Sequence, residues 1–392
     1  MLPLEGITVV ALEQAVAAPF ATRQLADLGA RVIKIERLGT GDFARSYDQT
    51  VHGMSSHFVW LNRSKESITL DLKHPEAQEI LRRLLSKADV FMHNLAPGAV
   101  ERMGFGAVPL RHAYPRLIIC QISGYGASGP YQHKKAYDLL VQCETGVLSV
   151  TGTPDHPSKV GISIADISAG MYAYTGVLTA LYQRERTGEG ATFEVSLFES
   201  LGEWMAYPTY FTAYGGTAPP RTGSRHATIA PYGPFATSGG QVVFLGLQNE
   251  REWVRFCESV LDRPDLAQDE RFSSNQGRVQ HRVQLESIIA ERFARLSTEE
   301  VLARLDAAEI ANAQQRTPRE FWDHPQLAGR NRWREVDSPV GMLQALLPPV
   351  TMDGVEPRMD RIPDVGEHTE EILGWLGYDA EQRTALRAAS TI

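Results

Sequence analysis

Apolar runs and apolar helical spacings alternate along the first 200 residues in a way that predicts strands and helices in turn. Gly6–Leu12 is a nearly continuous apolar run and predicts a buried strand. Ala18–Leu28 predicts a helix closed by Gly29, and Arg31–Glu36 predicts a second strand. Strand, helix and strand in that order predict a β-α-β unit, and crossovers of that kind join parallel strands of one sheet. Further strands are predicted over Ser67–Leu72, Asp89–Asn94, Arg116–Ser123 and Thr192–Leu197. Helices are predicted over Pro75–Ala88, from Lys135 to Gln142, over Ile167–Arg184 and over Phe198–Tyr207, with a turn and a short helix start at Ala96–Gly104. From Tyr207 to Gly233 the composition turns to Pro, Gly, Tyr, Thr and Arg, which predicts a linker. Beyond it, Phe235–Leu247 predicts a hairpin around Ser238-Gly-Gly240, followed by helices over Glu250–Val260, Arg278–Leu296 and Thr298–Ala308. A strand around Pro348–Met352 and terminal helices over Thr369–Leu376 and Ala380–Ala389 complete the pattern. The expected fold class is α/β, with a Rossmann-like parallel-sheet large domain and a smaller α+β domain. The expected division is residues 1–206 for the first part of the large domain, a linker at 207–233, the small domain at 234–317, a linker at 318–345, and a return to the large domain at 346–392.

Two stretches carry candidate chemistry. Glu36 ends the second predicted strand, where a ribose-binding acid stands in dinucleotide folds. Between the first strand and helix, however, Glu13-Gln-Ala-Val-Ala-Ala-Pro19 has no glycine to admit a pyrophosphate, which argues against a nicotinamide cofactor. In Gly161–Tyr172 a lone carboxylate, Asp166, precedes a helix with Ile167, Met171, Tyr174, Leu178, Leu181 and Tyr182 at helical spacing. One reading makes Asp166 an N-cap. The other has the helix dipole keep it ionised while small Ser168, Ala169 and Gly170 let a bulky substrate reach it.

At 392 residues, 43% hydrophobic and 22% charged, the composition is that of a globular protein large enough for two cores. No apolar run approaches the roughly 20 residues of a membrane helix, and the N-terminus lacks the basic start and cleavage site of a signal peptide, so a cytoplasmic protein with no membrane partner is expected. The net charge of −8 argues against nucleic acid as a partner while leaving room for a local basic patch that holds a small polyanion. Cys120, Cys143 and Cys257 are far apart, and the eleven histidines form no ligand spacing, so neither a disulfide framework nor a metal is expected.

A series of short segments, in order and spacing, resembles the family III CoA-transferases, the group with the carnitine, bile-acid and formyl CoA-transferases. These are Leu4-Glu-Gly-Ile, Leu28–Arg37, Asn62–Lys73, Asn94–Phe105, Gly124-Tyr-Gly126, Tyr137-Asp-Leu139, the Asp166 segment with Thr187-Gly-Glu-Gly190, and Gly366-Glu-His-Thr369. The resemblance implies a nucleophilic aspartate at Asp166. It implies contacts to coenzyme A, a thioester substrate with no permanently bound cofactor, at Ala15, Val16, Arg37, Leu72, Lys73, Asn94, Arg102, Lys135 and Tyr137. It also implies an interlocked homodimer, and acyl-CoA and carboxylic acids as substrates. Two departures stand out. The glycine run that covers the aspartate in formyl-CoA members is reduced to Gly239-Gly240, and Tyr137 occupies the position of an acid/base histidine in the related α-methylacyl-CoA racemases. A tyrosine is a poor base at neutral pH, so transfer is favoured over racemisation, the alternatives being a racemase or a CoA-binding protein without chemistry. The similarity points to succinyl-CoA and a short dicarboxylic acid such as itaconate, mesaconate or citramalate. A second carboxylate needs a cation, for which Arg45, Arg225 and His226 are the candidates.

Overall fold

The apolar runs become strands β1 (Thr8–Leu12), β2 (Arg31–Glu36), β3 (Lys65–Thr69), β4 (Val90–His93), β5 (Ile118–Ser123) and β6 (Thr192–Ser196). They form one sheet in the order β3-β2-β1-β4-β5-β6, every pair parallel, with Val9 opposite both Val32 and Val90. This is a doubly wound order, in which the chain reverses direction between β1 and β4 and opens a crevice at their carboxyl ends. The computed structural model describes all 392 residues. They divide into one unit of Met1–Val147, Val160–Ala206 and Gly329–Ile392, and a second of Leu148–Lys159 and Tyr207–Ala328.

Strands with apolar residues in succession must be covered on both faces. Val9, Val32, Val90, Met92, Ile118 and Cys120 face helices α1 (Ala17–Asp27) and α4 (Ile164–Thr187). Val10, Ile33, Ile68, Phe91 and Ile119 face α2 (Pro75–Ser86) and the terminal helices α10 (Thr369–Trp375) and α11 (Ala380–Ala388), which contribute Ile372, Leu373, Leu376 and Leu386 to that core. On the α1 and α4 side, α3 (Asp138–Glu144) and α5 (Leu197–Trp204) add Val141, Leu197 and Leu201 to the core.

Helices α1 and α4 pack closely because Gly170 lacks a side chain. A Cβ there would come 2.6 Å from the carbonyl oxygen of Ala17. Ser168, Ala169 and Gly170 are all buried, and the Ser168 hydroxyl donates to the Ala165 carbonyl. The small residues therefore serve helix packing and not substrate access, which corrects the expectation drawn from the sequence.

In the second unit, strands β7 (Tyr232–Ala236), β8 (Val242–Gly246) and β9 (Ala311–Gln314) form an antiparallel sheet. It packs on α7 (Glu250–Arg255), α8 (Arg282–Phe293) and α9 (Thr298–Ala307) around Phe235, Val243, Trp253, Phe256 and Phe293. Buried Arg278 is satisfied by the carbonyls of Ala230 and Phe272 and the carboxylate of Glu250. Gly240, with φ +75°, turns the β7–β8 hairpin.

Three stretches depart from the pattern reading. The segment after Tyr207 opens with α6 (Ala206–Gly215), a helix in which no residue is buried and Tyr207, Tyr210, Phe211 and Tyr214 are exposed. Pro208 is tolerated in its first turn, where no intrahelical donor is needed. The stretch 318–345 carries two short helices, Pro318–Trp322 in the second unit and Pro325–Gly329 at its end, and then the hairpin of β10 (Trp333–Val336) and β11 (Leu343–Leu346) in the first unit. The strand expected around Pro348–Met352 is instead irregular backbone, since the consecutive prolines remove ladder donors. No helix is long and apolar enough to cross a membrane.

Candidate active site

Asp166 lies in the first turn of α4, half-buried, three residues after the N-cap position Ser163. It does not cap the helix. That work is done by Asp138, at the start of α3, whose Oδ1 accepts the N–H groups of Ala165 at 2.7 Å and Asp166 at 3.3 Å. The other oxygen, Oδ2, is held by the Gln142 amide at 2.6 Å, and Gln142 Oε1 in turn accepts the Val160 N–H. The Asp166 carboxyl is left without a hydrogen bond. Burial pushes its pKa up to about 7, and the negative charge of Asp138 pushes the same way. The expectation that the helix dipole holds Asp166 ionised is thus corrected: the amides that would do so are taken by Asp138.

Around this carboxyl the chain brings two tyrosines. Tyr137 precedes Asp138 and is largely exposed. The loop beside it needs Gly124, where a Cβ would fall 2.2 Å from that of Ala136. Burial raises the Tyr47 hydroxyl to about 12, and the charges of Asp42, Asp166 and Tyr137 act in the same direction, so Tyr47 lies within their electrostatic reach.

At the carboxyl ends of β1, β2 and β3 lies a cleft of about 810 Å³, lined by Glu36, Arg37, Gly41, Leu72, Lys73 and Arg102 among others. Arg37, Lys73 and Arg102 are exposed and none holds an ion pair, so three cations are available to a polyanion. The turn between β1 and α1 borders this cleft through Glu13 and Gln14. Its Ala15 adopts φ +63°, a conformation usually left to glycine. Asp42 holds it there: Oδ1 accepts the N–H groups of Ala15 at 3.0 Å and Ala44 at 2.9 Å. Asn94, after β4, closes the turn from the other side by accepting from the Gln14 N–H and donating to the Gln14 carbonyl.

Beneath the turn is a fully buried charge network. Lys34 Nζ lies 2.8 Å from Asp42 and 3.3 Å from Glu13, and Lys65 Nζ lies 2.7 Å from Glu13. Thr22 also donates to Glu13 at 2.6 Å. Burial works against the charge on Lys34, but Asp42, Glu13 and Glu36 outweigh it and hold the ammonium protonated. Lys65, with burial dominant, is lowered to about 8.

The first unit thus offers a half-buried carboxyl without a hydrogen bond and a cleft lined by three unpaired cations. Residues 4–369 match the family described as CoA-transferase family III. The chain belongs to that family. It is 32% identical to the succinyl-CoA:glutarate CoA-transferase of Mus musculus, over 95% of this chain and 86% of that protein. It is 30% identical to the succinyl-CoA–D-citramalate CoA-transferase of Chloroflexus aurantiacus, over 100% of this chain and 98% of that protein. The crystal structure of a CAIB/BAIF family protein from Brucella suis superposes with a TM-score of 0.85 at 32% identity, covering 96% of this chain and 99% of that one.

The residues singled out in this CoA-transferase from its sequence fall into three groups. Arg37, Leu72, Lys73 and Arg102 come together in the cleft. Ala15, Val16 and Asn94 form or brace the adjoining turn, with Val16 buried as the residue before α1, while exposed Lys135 lies two residues before Tyr137. Arg45, Arg225 and His226 are already engaged. The Arg45 guanidinium grips Glu36 at 2.7 and 2.9 Å and lies over the Phe58 ring, Arg225 pairs with Glu286 at 2.8 Å, and His226 stacks on Tyr232. Asp138 was noted only as part of the Tyr137-Asp-Leu139 segment, with no role, and Tyr47 and the Lys34 network went unnoticed in the sequence. Only the network left a signal, a lysine in the middle of the apolar run Val32-Ile-Lys-Ile35.

Proposed function

We propose that this CoA-transferase moves CoA from succinyl-CoA to a short dicarboxylic acid through covalent intermediates on Asp166. The observation that carries the reading is the Asp166 carboxyl itself, half-buried at the head of α4 and free of hydrogen bonds. A carboxylate so placed has few interactions to give up before it attacks, and a thioester held against it is an activated acyl group. Attack by Asp166 on the thioester carbonyl forms a mixed anhydride and expels CoA thiolate. The thiolate then attacks the aspartyl carbonyl, giving an aspartyl-CoA thioester and releasing the donor acid. The acceptor carboxylate attacks that thioester to form a second anhydride and thiolate, and the thiolate attacks the acceptor carbonyl, which restores Asp166. Arg37, Lys73 and Arg102 would hold the CoA phosphates in the cleft, and Ala15, Val16 and Asn94 would shape its edge.

The names of the relatives, glutarate and D-citramalate transferases using succinyl-CoA, support a dicarboxylate acceptor. With Arg45 and Arg225 engaged by Glu36 and Glu286, neither has a free charge for that acid. A homodimer is part of the proposal. Helix α6, which buries none of its own residues and exposes four aromatic rings, supports an interface there.

The test offers succinyl-CoA and acetyl-CoA to glutarate, citramalate, mesaconate, itaconate and acetate, with new thioesters detected by mass. Dicarboxyl-CoA products from succinyl-CoA are expected. Efficient use of acetate with no dicarboxylate product would sink the substrate class.

Only ionised Asp166 attacks, so kcat/KM for the acyl-CoA should climb about tenfold per pH unit on the acid side and level off above about pH 7. Asp138→Asn keeps a carbonyl oxygen for the α4 amides and removes the neighbouring charge. Its acid limb should therefore move to lower pH, and an unmoved limb would show that Asp138 does not set this ionisation.

A further inference from the structure

The segment Gly366-Glu-His-Thr369 takes no part in the chemistry above, yet the structure ties it to the cleft. Strand β3 is the last strand of its sheet, so one flank has no strand beside it. The 366–369 turn occupies that flank. The His368 N–H donates to the Ser67 carbonyl at 2.9 Å, the Ser67 N–H donates to His368 Nδ1 at 3.2 Å, and the Thr69 N–H donates to Thr369 Oγ1 at 3.2 Å. Gly366 is held at φ +66°, where a Cβ would lie 2.9 Å from Thr69 Oγ1.

From this turn a chain of hydrogen bonds runs inward. The Ser67 hydroxyl accepts the Gly366 N–H at 2.9 Å and donates to Glu36 Oε2 at 2.6 Å. Ser67 is wholly buried and Glu36 nearly so. Glu36 Oε1 accepts the Asp42 N–H at 2.8 Å and Arg45 Nε at 2.9 Å, while Arg45 also donates to the carbonyl of Pro363, just before the turn. Asp42 then holds the Ala15 N–H. Glu36, Gly41 and Asp42 are themselves one wall of the cleft.

We propose that the Gly366–Thr369 turn is a positioning element of the acyl-CoA cleft, acting through Ser67 and Glu36 on Asp42, Arg45 and the Ala15 turn. None of these groups reaches reacting atoms in this role; they hold the wall against which CoA binds. Fixed carboxylate contacts on a buried serine leave that wall a single arrangement, and removing the hydroxyl frees Glu36 to shift. The inference rests on the cleft being the CoA site.

The experiment measures the Kd of coenzyme A by calorimetry, and steady-state kinetics with succinyl-CoA, for Ser67→Ala. A rise of about tenfold in Kd and in the KM for succinyl-CoA is expected, with kcat and the KM of the acceptor acid within about twofold. Thr237→Val in the second unit, which loses a comparable buried hydroxyl contact to Thr298 at 2.8 Å, is the control. It should lower the melting temperature and leave the Kd for CoA unchanged. Thr369→Val and Thr369→Ser provide a milder pair, in which the valine weakens CoA binding and the serine restores it. Wild-type CoA binding in both Ser67→Ala and Thr369→Val overturns the inference alone. Absence of CoA binding by the unmodified protein overturns the reading of the cleft and the inference together.

Discussion

Asp166→Ala is expected to lose CoA transfer by at least ~1,000-fold, as removal of a covalent nucleophile does, while folding and CoA affinity stay close to those of the unmodified protein. The carboxyl makes no hydrogen bond and caps no helix, so its removal orphans no partner. The helix amides remain satisfied by Asp138. Stability should if anything rise, and the sign follows from linkage. Burial and the charge of Asp138 raise the Asp166 pKa from the ordinary aspartate value of 3.8 to about 7. Between those values the unfolded chain ionises while the folded one keeps its proton, so the penalty is absent below about pH 4 and complete above about pH 7. The melting temperature of the variant relative to the unmodified protein should therefore improve as pH rises across that window. Intact-protein mass spectrometry after mixing with succinyl-CoA should find a CoA adduct on the unmodified protein and none on the variant. An adduct on Asp166→Ala, or turnover near that of the unmodified protein, would remove this residue from the mechanism.

The largest loss of stability is expected from Lys34→Met. The lysine is fully buried between Asp42 and Glu13, and its removal strands two carboxylates with Lys65 as their remaining cation. Breaking a buried ion pair from one side costs about 3–5 kcal/mol, which for a protein of this size lowers the melting temperature by roughly 5 °C. Thermal unfolding across pH checks the cause. The deficit should shrink in acid, where the stranded carboxylates can take up protons, and a deficit independent of pH would point to lost packing alone. Because Asp42 also holds the Ala15 turn, CoA affinity should fall in the folded fraction.

What was legible in the sequence was periodicity. The run Arg31–Glu36 became a strand with those same bounds, and the apolar spacing from Ile167 marked α4. Helix starts and partners were not legible in the same way. Asp166 looked like a cap because an acid before an apolar-periodic segment usually is one, but the group that caps α4 stands 28 residues earlier, on another helix. No local pattern encodes that meeting. The stretch Glu13–Pro19 argued against a nicotinamide cofactor because it lacks glycine, but nothing local in it shows that Ala15 takes the left-handed conformation, which depends on Asp42, 27 residues on, accepting its N–H. Arg45 and Arg225 were sound guesses by charge. Their partners Glu36 and Glu286 are tertiary contacts, and the sequence gives a cation's sign without saying whether it is already spent. Helix α6 was read as linker because Pro, Gly and Tyr obscure an apolar face, and the structure shows that it has no buried face within the chain.

The order in which the first unit is assembled matters at the ribosome. All six strands of its sheet have emerged once β6 ends at Ser196, but the residues that finish one of its faces, Ile372, Leu373, Leu376 and Leu386, follow more than 170 residues later. At ~5–20 residues per second the wait is on the order of 10 to 40 s. Throughout it, Ile33, Ile68 and Phe91 lack part of their cover, and the outer flank of β3 lacks the turn that fills it. An open strand flank beside bare apolar residues is a template for pairing with another nascent chain. A chain that stops short of Gly366 would keep that template, so the segment from Gly366 to Leu386 also covers an edge open to self-association.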